Sequence, residues 1–161
     1  MSSDARELRD ALGQFATGVC LITVLAPNGD SLAMTANSFS SVSLEPPLVL
    51  WSLQKNSDVY EAFATPEYFA INVLSAEQLD HSNHYARKEQ HLLQPGHYDV
   101  GQTGAPLIEG ALVSFECEMY ATHEAGDHLI IIGEVIDMQR GEPADPLLFF
   151  SGGYRYLSAP A

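Results

Sequence analysis

Apolar and polar residues alternate without a break from Val113 to Thr122. Val113, Phe115, Cys117, Met119 and Ala121 fall on one side, and Ser114, Glu116, Glu118, Tyr120 and Thr122 on the other. This period of two predicts a strand with one buried face. HEAGD then reads as a turn, and HLIIIGEVIDMQR stays apolar almost continuously to Ile136. Such a run predicts a strand buried on both faces or at an interface. Near the start, VCLITVLA and SLAMTA flank PNGD, and an Asn-Gly turn between extended runs predicts a hairpin. LVLWSL, YFAINVL and LLFFSGGYRYL add three further strands, the last with a Gly-Gly turn.

Helical spacing is scarcer. Leu8, Leu12 and Phe15 define a short amphipathic helix, VYEAFA a second, and Ser75 with Gln78 a capping box at the head of a third that runs toward Ala86. The polar stretch NSFSSVS, the break at Pro46-Pro47 and the segment from Arg87 to Gly110 read mostly as turn and loop. A loop that long inside a small domain is commonly functional. No repeat or linker divides the chain, so residues 1–161 are expected to form a single domain. Many strands on short turns with few helices predict a mainly β protein, a closed or split antiparallel barrel with a few short flanking helices. An open sandwich is the alternative.

Composition narrows the partners. The 161 residues include 21 acidic and seven basic side chains, a formal charge of −14 with histidine counted neutral. A chain this long buries roughly 70% of its unfolded surface and needs no disulfide or metal to hold a core. Duplex nucleic acid is held by clustered cations, and here the cations are only Arg6, Arg9, Lys55, Arg87, Lys88, Arg140 and Arg155. An anionic ligand must therefore use one of these or backbone N–H groups. No apolar run is long enough to span a membrane, and MSSDARELRD has no secretion-signal order, so a cytoplasmic location is expected. Cys20 and Cys117 lie in separate apolar strands, as buried reduced thiols do.

Triad, P-loop, dinucleotide and zinc motifs are absent from the sequence. His81, His84, His91 and His97 are the nearest approach to a metal cluster, but the loop that carries most of them supplies no convincing carboxylate set. Three other segments have the chemistry to hold a ligand. MTANSFSSVS offers hydroxyls, an amide and backbone N–H groups that suit a flat heteroaromatic ring or a phosphate, and equally suit an ordinary turn. SLQKNSD offers Lys55, Asn56 and Ser57 just before a helix that Ser57 or Asp58 can cap. HSNHYARKEQ carries the adjacent cations Arg87 and Lys88 at a helix end, where they also complement the dipole.

In this order, FATGVCLITV, MTANSFSSVSLEPPLVLWSLQKNS, YFAINVLS, HSNHYA, GAPLIEGALVSFECE, GDHLIIIGEV and LLFFSGGYRYL resemble the flavin reductase family. These are short-chain proteins on an FMN-binding split barrel that supply reduced flavin to two-component monooxygenases. The resemblance implies that Thr35, Ala36, Asn37 and Ser38 line the flavin ring, with Ser41, Val42 and Ser43 continuing the wall. It further implies that Ser52, Leu53, Asn56 and Ser57 hold the ribityl chain and phosphate, and that Ser82, Tyr85 and Ala86 lie near the phosphate or adenosine end. Lys55 and Arg87 would supply positive charge, with Lys88 beside them. His128 matches a nicotinamide-side histidine, and Tyr154 an aromatic near the site, from the same chain or across a dimer.

The implied reaction is hydride transfer from NADH or NADPH to FMN or FAD, for which the protein stacks two rings and needs no side-chain nucleophile. His128 would orient the nicotinamide or simply begin a strand. The implied partners are a second copy of the chain, as a homodimer, and a flavin-dependent monooxygenase, with no role for nucleic acid or membrane. Two alternatives remain: an electron carrier or ferric reductase that keeps FMN tightly bound on the same fold, and a non-catalytic binding barrel.

Overall fold

A computed structural model describes residues 4–161; Met1–Ser3 of the opening segment lie outside the described residues. In chain order the elements are α1 (Ala5–Leu12), β1 (Thr17–Gly18), β2 (Cys20–Leu25), β3 (Ser31–Ala36), β4 (Ser40–Leu44), β5 (Pro47–Gln54) and α2 (Tyr60–Ala64). They continue with β6 (Tyr68–Val73), a 3-10 turn (Ala76–Gln78), α3 (Leu79–Tyr85), β7 (Tyr98–Val100), β8 (Pro106–Ile108), β9 (Val113–Ala125), β10 (His128–Arg140), β11 (Leu148–Phe150) and β12 (Gly153–Arg155).

Seven strands form one antiparallel sheet in the order β3-β2-β6-β9-β10-β5-β4. The expected mainly β class holds. The backbone ladders end at β3 and β4, so the sheet is not closed into a barrel by hydrogen bonds. Two small sheets, β1-β11-β12 and β7-β8, complete the chain.

The sheet is buried on both sides, and β2 shows why its sequence carries no alternation. Cys20, Ile22 and Val24 join the larger core with Trp51, Leu53, Phe63 and Phe69. Val19 and Leu21 point into a second core with Leu74, Tyr85, Leu93 and Leu147. Trp51 meets Phe63 of α2 edge-on at 6.0 Å between ring centroids. The hairpin at PNGD forms as expected. Gly29 has φ +91, which a glycine adopts without steric cost, and its N–H bonds the Ala26 carbonyl at 2.9 Å.

The expected capping box forms at the head of the 3-10 turn that leads into α3, where the Gln78 side chain accepts from the Ser75 N–H at 3.0 Å.

Several expectations need correction. Ser40–Leu44, read as polar turn, is the edge strand β4; its mostly exposed serines suit a strand that has only one neighbour. The segment from Arg87 to Gly110 is mostly loop, as expected, and adds only the short β7-β8 pair. β9 is buried on both sides over its first half, because Ser114 and Glu116 are covered as well as Cys117. Glu116 accepts from the Gln102 and Thr103 N–H groups and the Thr103 hydroxyl, and so hangs the β7-β8 loop on the sheet. Conversely, β10 alternates: Leu129 and Ile131 are buried, Ile130 and Ile132 only half so. The apolar face of α1 buries nothing, and Phe15 follows the helix at 80% exposure. Neither Ser57 nor Asp58 caps α2, whose cap position is Val59.

Asn72 is the polar centre of the sheet. Fully buried on β6, it donates to the Leu21 carbonyl and the Thr23 hydroxyl at 3.0 Å each. It accepts from the Ile108 N–H at 3.0 Å and the Ser114 hydroxyl at 2.6 Å. All four hydrogen-bonding positions of the amide are used.

Candidate functional site

A cavity of about 500 Å³ opens where five pieces of chain meet beside the β3 edge of the sheet. β3 contributes Met34, Thr35, Ala36 and the following Asn37; β5 contributes its last residue, Gln54, and the turn after it Asn56, Ser57 and Asp58. Tyr85, Ala86, Lys88 and His91 come from the end of α3 and beyond, and Val19, Phe149 and Tyr154 from the segment before β2 and the C-terminal hairpin. The walls mix apolar side chains with amides, hydroxyls and one ammonium, the character of a pocket for a mostly flat ligand with polar ends.

Each wall is fastened to the next. Thr35 Oγ1 donates to the Ser82 carbonyl at 2.7 Å, which ties β3 to α3, and Ser82 Oγ lies 2.7 Å from the Tyr154 hydroxyl. Phe149 packs edge-on against Tyr154 at 5.4 Å. The buried Tyr85 hydroxyl accepts the Gln94 N–H at 3.1 Å and pairs with His97 Nδ1 at 2.8 Å; burial, the main cause, pushes its phenol up.

The expected site residues divide into three groups. Thr35, Ala36, Asn37, Asn56, Ser57, Tyr85, Ala86 and Tyr154 all line the cavity, with Tyr154 coming from the same chain. Ser38, Ser52 and Ser82 stand behind it: the Ser38 hydroxyl accepts the Ser52 N–H at 2.9 Å and joins the post-β3 loop to β5. The rest lie elsewhere. Leu53 is fully buried in the larger core. Ser41, Val42 and Ser43 lie on β4, which pairs with the far side of β5 at the outer edge of the sheet. Lys55 is paired with Glu124, and Lys88 rather than Arg87 lines the cavity.

His128 does not line the cavity; it starts β10 opposite the lining residue Gln54 in the ladder. Its Nδ1 donates to Asp127 at 2.7 Å, and this bond, with the histidine charge, holds the Asp127 carboxyl below its usual range.

Sequence reasoning missed Val19, Met34, Gln54, Phe149, Asp58 as a wall residue, and above all His91. The histidines do not converge: His81 and His97 stack at 4.2 Å, and burial followed by the neighbouring His97 pushes His81 down. Among the described residues no group of three His, Cys, Asp or Glu is placed to hold a metal ion, and no helix is long and apolar enough to cross a membrane.

Comparison with known proteins shows which family the chain is similar to. An NADH-dependent FMN reductase, SmoA, of Agrobacterium fabrum is 44% identical over 155 residues, covering 96% of this chain and 87% of that protein. The reductase component of a flavin-dependent trigonelline monooxygenase from Acinetobacter baylyi is 45% identical over 130 residues, 81% of this chain but 42% of that longer protein. The structure of the Streptomyces globisporus NADH:FAD oxidoreductase SgcE6, in complex with NAD and FAD fragments, superposes with a TM-score of 0.91 at 37% identity, covering 98% of this chain and 95% of that one. The flavin reductase like domain matches residues 12–158, and the chain belongs to that family.

Proposed function

We propose that this chain is a flavin reductase that uses NADH to reduce FMN or FAD and passes the reduced flavin to a monooxygenase. The observation that carries it is the single cavity in which Thr35–Asn37, Asn56–Asp58, Lys88 and Tyr154 come together. Its volume lies within the roughly 300–1,000 Å³ of small-molecule sites. The residues fit a flavin. Met34, Val19 and Phe149 provide apolar surface for a ring, while the exposed amides of Asn37 and Asn56 and the Ser57 hydroxyl provide donors and acceptors for its polar chain.

When bound, a flavin supplies the ring that accepts hydride from the nicotinamide. The chain's own part is positioning. The Thr35 hydroxyl is spent on Ser82, so its backbone is what remains for a ligand. Lys88 is the ammonium at the wall and suits a phosphate. His128, hydrogen-bonded to Asp127 and paired in the ladder with the lining residue Gln54, would meet a second ring entering from the β10 side. Hydride transfer between two stacked rings requires no proton abstraction by, and no covalent step on, a side chain of the protein.

The finer reading is a single split-barrel domain, 1–161, acting as a cytoplasmic homodimer. The high structural likeness to SgcE6 over nearly the whole chain supports the fold. Steady-state oxidation of NADH and NADPH against FMN and FAD tests the activity. Flavin-dependent loss of nicotinamide absorbance with NADH is expected; none with either flavin overturns the assignment.

A further inference from the structure

His91 lies in the segment between α3 and β7, is 7% exposed, and lines the cavity. Its Nδ1 is 2.9 Å from the Ala33 carbonyl, and its Nε2 is 3.1 Å from Asp58 Oδ1. A carbonyl oxygen only accepts, so Nδ1 carries a proton. The other nitrogen faces a carboxylate, whose Oδ2 already accepts the Glu89 N–H at 2.8 Å. Burial pushes the Asp58 carboxyl up, but the Glu89 N–H and the facing histidine outweigh it and hold Asp58 below the usual carboxylate range. With Oδ2 taken by an N–H donor and Oδ1 facing the ring, an Asp58 carboxylate accepts at both oxygens, and a hydrogen bond at Oδ1 then requires a proton on Nε2.

The backbone reinforces this arrangement. The Ala33 N–H donates to the His91 carbonyl at 2.8 Å, and the Leu93 N–H to the Ser31 carbonyl at 2.8 Å, so residues 91–93 lie along the free edge of β3. One side chain thus joins three walls of the cavity: β3 two residues before Thr35, the Asn56–Asp58 turn, and the segment that presents Lys88.

We propose that His91, held as an imidazolium between the Ala33 carbonyl and the Asp58 carboxylate, is a positioning residue that sets the flavin-binding geometry of this cavity. It acts by clamping the Asn56–Asp58 turn against β3. It also brings a positive charge that a count of Lys and Arg omits, and this charge offsets Asp58 beside a site meant for an anion. The inference rests on the reading of the cavity as a flavin site.

Imidazole nitrogen NMR on the wild-type chain at neutral pH tests the charge state: both His91 nitrogens should give protonated-type signals. A neutral ring with a bare Nε2 overturns the proposal. In Asp58→Asn the Nε2 signal should move to the unprotonated type. Kinetically, Asp58→Asn and His91→Phe should each raise the flavin KM by about tenfold, with kcat at saturating flavin changed far less, since a charge-assisted hydrogen bond is lost in each case. The double variant should be little worse than either single one. A lowered melting temperature with unchanged flavin KM in folded Asp58→Asn would mark a purely structural pair and overturn the inference. Wild-type chain that oxidises no NADH with either flavin would instead sink the functional reading, whatever the state of His91.

Discussion

The Tyr154 hydroxyl lies 2.7 Å from Ser82 Oγ, which latches the C-terminal hairpin to α3 across 72 residues of sequence. Because the Ser82 carbonyl also receives the Thr35 hydroxyl, one serine joins three walls of the cavity. Tyr154→Phe removes the latch and keeps the ring. The flavin Kd should rise about fivefold, the equivalent of one hydrogen bond of about 1 kcal/mol. Titration of flavin fluorescence measures it, and an unchanged value would detach the hairpin from the site.

The two lysines offered by the sequence separate cleanly. Lys55 is turned to Glu124, whereas Lys88 lines the cavity. Lys88→Ala should weaken flavin binding several-fold and flatten what salt dependence there is, because a single ammonium contributes only a modest, screened attraction. Lys55→Ala should leave flavin affinity close to wild type. Fluorescence titrations at low and high salt compare them, and the reverse ranking would reassign the cation.

Gly133 has no room for a side chain. A Cβ there would come within 2.5 Å of Phe69 Cζ and 2.8 Å of Cys117 Cβ, beside the β-bulge between Ile132 and Gly133. Gly133→Ala should therefore cost about 2 kcal/mol or more through overpacking. Denaturant midpoints at unchanged m-value would register it; a neutral outcome would mean that Phe69 yields freely.

Burial raises the Cys20 and Cys117 thiols from the ordinary 9.0 to about 12, with Glu116 adding to the effect on Cys117. In the folded chain neither should react appreciably with iodoacetamide at neutral pH, whereas both should in denaturant. The linkage has a definite sign. The unfolded chain ionises these thiols first, so their effect is to lower stability as the pH rises past about 9. Mass spectrometry after timed alkylation checks the first point, and denaturation at rising pH the second.

Much of the fold was legible because its determinants are local. Asn28-Gly29 announced the first hairpin, and Ser75 with Gln78 announced the capped turn that leads into α3. Where the reading failed, neighbours distant in sequence were responsible. Ser114 and Glu116 are polar yet buried, since Asn72 and the Gln102–Thr103 turn satisfy them. The resemblance implies a ligand wall at Ser41–Ser43, and the pairing of β4 with β5 sets these residues on the edge strand, outside the walls of the cavity. Leu53 sits within the right motif, and strand alternation turns its side chain into the core.

By itself the sequence determined the strand content, the hairpin turns, the family signature and the scarcity of cations. It even isolated the Thr35–Asn37 and Asn56–Ser57 segments. Tertiary structure alone decided which polar groups face the cavity: Lys88 in place of Lys55, and His91 set between Ala33 and Asp58. The reason is physical. Turn chemistry and side-chain period act over a few residues, whereas residues 33, 58, 91 and 154 meet only through the order of strands in the sheet and the closure of long loops. The formal −14 counts histidine as neutral; that the His91 ring stands between two acceptors, the Ala33 carbonyl and Asp58, is set by folding alone.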